Sequence, residues 1–179
     1  MLNHSYKFRC YAGIGSRATP PDVLKRIAKI AARLEVLGWT LRSGAAQGAD
    51  TAFELAVTTK EIYLPWPGFN GRAKACLTMP SEAANAMAEN IHPAWKRLSW
   101  AAQRLHARNM HQILGAQLNV PVTFVLCWTS DGCESAATRT HRTGGTGQAI
   151  ALASAQKIPV FNLAVPNALD RLAALLSSK

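Results

Sequence analysis

Acid is scarce in this chain. Ten Asp and Glu stand against twenty Lys and Arg in 179 residues, a formal charge of +10. Such an excess draws polyanions before any specific contact forms. Cysteine is scarce as well. Cys10, Cys76, Cys127 and Cys133 have no C-x-x-C spacing and no accompanying His doublet, so they read as reduced thiols with no metal site. His4, His92, His106, His111 and His141 form no pair that implies a metal or a nucleophile triad. No apolar run reaches the length of a membrane span, and Met1-Leu-Asn-His-Ser-Tyr-Lys7 lacks the apolar stretch of a signal peptide. The expected address is the cytoplasm, with no membrane partner. There is no G-x-S-x-G elbow and no Walker A lysine.

What is present is a core. Hydrophobic residues make up 49% of the chain, and a domain of this size buries roughly 70% of its unfolded surface. No repeat, long linker or compositional break divides it, so residues 1–179 read as one domain. Short apolar runs at 8–14, 39–41, 61–64, 122–128 and 158–163 read as strands. Helical periodicity fills 20–37, 47–58, 80–90, 94–117, 145–156 and 166–176. Thr19 is the expected N-cap of the first helix with Pro20 at its first position, and Gly38 ends it. The run 122–128 is the most apolar and is expected at the centre of the sheet. Residues 129–142 read as a mobile loop. Alternating strands and helices predict a three-layer, Rossmann-like α/β sandwich with a mainly parallel sheet.

Glycines cluster where strands give way to helices. Tyr11-Ala-Gly-Ile-Gly-Ser-Arg17 follows the first strand, Ser43-Gly-Ala-Ala-Gln-Gly-Ala-Asp50 the second, and Thr143-Gly-Gly-Thr-Gly-Gln148 opens a later helix. Free backbone N–H groups and a helix dipole at a sheet edge are what a phosphate needs. The candidate phosphate contacts are Gly13, Gly15, Ser16, Arg17, Ser43, Gly44, Gly48, Asp50, Arg108, Asn109, Gly144, Gly145, Thr146, Gly147 and Gln148. Gly13, Gly15 and Ala18 also fit a loose dinucleotide pattern. Arg42 stands near the place of the expected ribose-binding acid, and no cofactor is assigned.

A second signal is cationic. Arg97, Trp100, Arg104, Arg108 and His111 recur at helical spacing within 94–117, while Leu98, Ala102, Leu105 and Ile113 can face inward. Arg beside an aromatic suits a nucleic-acid strand by charge and by base stacking. Arg139, His141 and Arg142 lie beside the last glycine segment and extend the basic surface.

Gly15-Ser16-Arg17, Ser43-Gly44 with Gly48-Ala49-Asp50, Arg108-Asn109, and Gly144 to Gln148 together resemble the DprA/LOG (SLOG) superfamily. The likeness runs from about Tyr11 to Leu163. The short length and the opening motif resemble small stand-alone DprA-like members found in phage genomes. DprA-like proteins bind single-stranded DNA through a basic Rossmann pocket, which implies that activity here. LOG-like proteins cleave the N-glycosidic bond of nucleoside monophosphates, and Leu105-His-Ala-Arg-Asn109 resembles their M-H-x-R-K run. Their P-G-G-x-G-T-x-x-E segment is altered: Thr143 replaces the Pro, Gln148 the Thr, and Ala151 the Glu. Cleavage builds positive charge on the sugar and needs a carboxylate. Asp50, Glu54, Asp131 or Glu134 would have to supply it, so the catalytic candidates are Asp50, Glu54 and Arg108.

The leading expectation is a binder of nucleotide phosphate, chiefly of single-stranded nucleic acid. A phosphoribohydrolase and a receptor or sequestering protein for a small nucleotide signal stand as alternatives. Pairing into a homodimer is expected through the terminal helix, with Leu169, Leu172, Ala173 and Leu176, although the monomer core would use the same stripe.

Overall fold

The computed structural model describes residues 9–177. Phe8 and the segment read for a signal peptide lie outside the described residues. Five strands form one sheet: β1 (Cys10–Gly15), β2 (Thr40–Ser43), β3 (Lys60–Ile62), β4 (Phe124–Trp128) and β5 (Val160–Asn162). Their spatial order is β3-β2-β1-β4-β5, and every pairing is parallel. The expected parallel α/β sandwich is therefore the architecture. The middle strand is β1, not β4; β4 is interior because β1 and β5 flank it.

Alternation along the strands builds two cores. Cys10, Ala12 and Ile14 of β1, with Val125 and Cys127 of β4, face α3 (Glu82–Ile91), α4 (Trp100–Leu114) and α5 (Thr146–Ala155). Tyr11, Phe124 and Leu126 face α1 (Pro21–Val36), α2 (Ala49–Leu55) and α6 (Ala168–Ser177). The second core is aromatic: Tyr11 stacks on Phe124 at 5.5 Å, and Trp39 meets Phe124 edge-on at 5.0 Å. The α6 stripe offered above for pairing is used inside the fold, with Leu172 buried and Leu169 and Leu176 packed against this core. All four cysteines are free, and only Cys76 is exposed.

The starts of α1 and of the helix expected over 94–117 differ from the sequence reading. The N-cap of α1 is Pro20 with Pro21 after it, while the Thr19 hydroxyl donates to the Ser16 carbonyl at 2.6 Å. The expected long helix over 94–117 is broken. Trp95–Arg97 forms a single 3-10 turn, and α4 starts afresh at Trp100 behind an N-cap, Ser99, that accepts from the Ala102 N–H at 3.2 Å. Among the described residues no helix is long and apolar enough to cross a membrane.

Strand order reverses between β1 and β4. Loops leaving the carboxyl ends of those strands define the crevice where this class of sheet holds its ligands. The segments after β1 and β2 and the start of α5 all belong to that edge, and α4, which precedes β4, brings its N-terminal half to it.

Candidate nucleic-acid interface

A buried carboxylate organises the first two glycine segments. Asp50, in the first turn of α2 and 3% exposed, accepts from the Gly15 N–H and the Gly44 N–H, each at 3.2 Å. Gln112 of α4 donates to the same carboxylate at 3.4 Å. These N–H groups, expected free for a phosphate, are occupied by an anion that the chain itself supplies. Burial pushes the Asp50 carboxyl up to about 6, against the pull of Arg108 and of its backbone donors. Arg108 is also buried. It donates to the Gly44 carbonyl through Nη1 and to Asn109 Oδ1 through Nε at 3.1 Å. A Cβ on residue 44 would fall onto the Arg108 guanidinium, so glycine is required for that approach. Asn109 in turn donates to the Gly145 carbonyl at 3.0 Å. The Arg108-Asn109 pair thus ties the earlier glycine segments to the later one.

The candidate phosphate contacts separate accordingly. Gly13 lies inside β1 against Leu41 and Phe53, and the Ser43 hydroxyl is buried on the Gly13 carbonyl at 2.7 Å. Both serve packing. Gly48 holds a positive φ of 84° with its Cα against the Ser16–Arg17 backbone. The Ser16 hydroxyl accepts from the Ala18 N–H at 3.0 Å, and Arg17 is exposed. At α5, Gly144 and Gly145 face open space, Thr146 is buried, and Gly147 is covered by Arg139, which donates to its carbonyl at 3.3 Å. Gln148 turns inward and donates to the Ala88 carbonyl at 2.7 Å. Arg42 is buried, with Nε on Glu61 at 2.6 Å.

The cationic stripe is rearranged. Arg97 sits on the 3-10 turn and not on α4. His111 is fully buried. Its Nε2 accepts from the Ser81 N–H at 3.2 Å, so Nδ1 carries the proton and donates to the Gly115 carbonyl at 3.0 Å. It is a structural neutral histidine, stacked on Tyr63. Trp100 and Arg104 do belong to the surface. Arg104 lies 5.7 Å over the Trp100 ring, and Trp100 is 58% exposed.

Residues absent from the sequence reading complete this surface. The loop after β3 carries Trp66 and Phe69, whose rings meet at 5.0 Å, and Trp66 lies 5.7 Å from Trp100. The Arg108 guanidinium lies 6.0 Å from the Phe69 ring, and the Asn70 amide donates to the Ala45 carbonyl at 2.8 Å. A continuous ladder results: Arg104, Trp100, Trp66, Phe69, Arg108. It starts in solvent and ends on the Asp50 clamp. Two large aromatics in a Pro- and Gly-bearing loop were the available signal.

The four acids proposed for sugar chemistry are each engaged. Glu54 is buried beside Arg72 at 2.6 Å, and burial raises its carboxyl despite the Arg72 and Lys60 charges. Glu134 accepts from the Asn162 N–H at 2.8 Å and pairs with Arg171 at 2.6 Å. Asp131 accepts from the hydroxyls of Thr129, Thr140 and Thr143 at 2.8, 2.6 and 2.5 Å. These bonds, with the 3-10 turns Ala136–Thr138 and His141–Thr143, brace the segment expected to be a mobile loop. Ala151 is buried in α5.

Desolvation opposes ionisation of Asp131, but hydroxyl donation from Thr140, Thr143 and Thr129 outweighs it and holds the carboxyl below its usual range. The stabilisation is therefore present above the ordinary carboxylate range and is lost as pH falls through it. Asp131→Ala is expected to cost about 1.5–3 kcal/mol at pH 7, the range for hydrogen bonds to a charged group. Urea midpoints of variant and parent should converge at acid pH. A gap independent of pH would show that these contacts are not those of a carboxylate.

No protein-family model and no curated protein matches the chain. Among solved structures the chain is similar to DNA processing protein A from Helicobacter pylori, a structure described for its unique single-stranded DNA binding mode. The identity is 14%, the match covers 96% of this chain and 82% of that chain, and the TM-score is 0.44. Figures at that level carry no residue role across.

Proposed function

We propose that this chain binds single-stranded nucleic acid along the ladder of Arg104, Trp100, Trp66 and Phe69. The observation that carries the reading is an indole 58% exposed, set between a second indole and a guanidinium, in a chain of net charge +10. Exposing such a ring to water is costly unless a partner covers it. A stacked base is a sequence-tolerant partner, and Arg104, over the Trp100 ring, supplies a cation for its phosphates. The first glycine segments support this surface by fixing Arg108 under Phe69 and do not hold the ligand through free N–H groups.

Binding of a fluorescent oligothymidine should therefore weaken linearly with the logarithm of salt concentration. The slope should be about −0.7 for each phosphate neutralised, and Arg104→Ala should reduce it by about one such step. Nucleoside monophosphates incubated with the protein should release little free base, since Asp50, Asp131 and Glu134 accept protein hydrogen bonds and Glu54 is ion-paired with Arg72. Affinity that ignores salt would remove the strand reading. Base release abolished by Glu54→Gln would replace it with glycosidase chemistry.

A further inference from the structure

Trp66 and Phe69 ride on a turn whose backbone bonds hold it to itself and not to the protein. Pro65 and Pro67 offer no backbone N–H, and Gly68, Asn70 and Gly71 take positive φ of 74°, 49° and 76°. Phe69 donates to Trp66, Gly71 to Gly68 and Arg72 to Phe69, at 3.3, 3.0 and 3.1 Å. Among the described residues, no backbone hydrogen bond joins 65–75 to the rest of the fold. Where the two rings stand is therefore set by side chains.

Those side chains reach α2 and the segment before it. Phe69 packs on the small core of Ala45, Ile62 and Leu64, and Asn70 donates to the Ala45 carbonyl at 2.8 Å. Arg72, partly exposed, pairs with Glu54 at 2.6 Å, and the Glu54 side chain is 1% exposed. No hydrogen bond reaches Glu54 Oε2, and Arg72 is the only ion-pair partner of this carboxylate among the described residues. A buried acid that depends on one arginine holds it tightly, since parting them strands the charge. Glu54 also stands one turn after Asp50 on α2. That short helix thus answers two arginines that meet the turn. Asp50 compensates Arg108, whose guanidinium lies 6.0 Å from the Phe69 ring, and Glu54 holds Arg72, three residues beyond Phe69.

We propose that Glu54 and Arg72 form a latch that fixes the Trp66–Phe69 turn against Trp100, which makes a buried acid a positioning residue for the capture of a polyanion. The latch rests on the strand reading above and adds the part of the fold that keeps the platform rigid. A turn fixed in advance costs no ordering when bases stack on it. An unlatched turn must be ordered by the strand, and affinity falls. The sign is opposite to that of simple electrostatics. Removing the Glu54 carboxylate raises the net charge of +10 by one, which by long-range attraction alone tightens a polyanion. Loss of the latch weakens it.

Two measurements on the full chain test this, and the first needs no nucleic acid. Indoles 5.7 Å apart couple their transitions, so the far-ultraviolet circular dichroism of the parent minus that of Trp100→Ala contains the exciton signal of the Trp66–Trp100 pair. The same difference taken in Glu54→Leu, an apolar replacement suited to a buried position, and in Arg72→Gln should vanish while the helical bands persist. Arg72→Lys should keep most of it. The second measurement is oligothymidine anisotropy. Glu54→Leu and Arg72→Gln should each weaken binding by about fivefold or more, the lower end of what one stacked base contributes. Both should keep the parent's salt slope, since Arg72 meets Glu54 and not a phosphate. In a Trp66→Ala background either change should add little. An exciton signal that survives in both variants would overturn the latch. So would tighter binding by Glu54→Leu, or a slope lowered by about 0.7 in Arg72→Gln, the mark of a phosphate contact. Parent-like binding by Trp100→Ala would instead remove the strand reading, and the exciton signal would then decide the latch by itself.

Discussion

Trp100→Ala is expected to weaken oligothymidine binding by about 5- to 150-fold, the 1–3 kcal/mol that one stacked base contributes. The ring is more than half in solvent, so its removal takes little from the core, and the unfolding free energy from urea titration should stay within about 0.5 kcal/mol of the parent. Trp66→Ala should give a loss of similar size. The double variant should lose less than the sum, because the rings lie 5.7 Å apart and form one platform. Trp100→Phe keeps a π-face and should retain part of the affinity. Fluorescence anisotropy at fixed low salt reads all four. Parent-like affinity in Trp100→Ala would place the strand elsewhere on the molecule.

The sheet was legible because its signals are local. Short apolar runs mark β1 and β4, and alternation along them is what divides Ala12 from Tyr11 between the two cores. The middle position of β1 was not legible, since pairing order depends on the crossovers and not on how apolar a strand is. Over 94–117, periodicity draws one stripe through Arg97, Trp100, Arg104, Arg108 and His111, but periodicity cannot say what covers each flank. Ser99 interrupts that stripe as a cap. The strand edges and the segment around Ser81 bury its C-terminal half, so Arg108 and His111 become internal polar groups. Gly144 and Gly145 face open space, but Gly15, Gly44 and Gly48 are places of close approach. What approaches them is protein: Asp50 and Arg108 fill the ground where a ligand was expected. Trp66 and Phe69 were passed over because a loop has no period to expose its contacts.

That internal clamp makes Arg108→Ala the most damaging single change expected in this chain. The substitution removes the donor to the Gly44 carbonyl, the cation over Phe69 and the charge that partly compensates Asp50. Breaking a buried charge pair costs about 3–5 kcal/mol, and because the two act across Gly44 the loss should fall near the lower figure. The pH dependence separates this electrostatic loss from a simple cavity. In the parent, Asp50 titrates at about 6 when folded and near 3.9 when unfolded, so the folded state holds the extra proton between those values. Stability therefore declines as pH rises from about 4 to about 6 and levels off above. Without Arg108 the folded carboxyl titrates higher still, and the decline continues toward neutrality. The gap between parent and variant should thus be smallest near pH 5 and widen by pH 7.5 in urea titrations. Adding Asp50→Asn to the variant should abolish the widening, since no buried charge is left to lose its partner. A gap that is equal at both pH values would mean that Arg108 acts through packing and its carbonyl contact alone, and that Asp50 is not held by its charge.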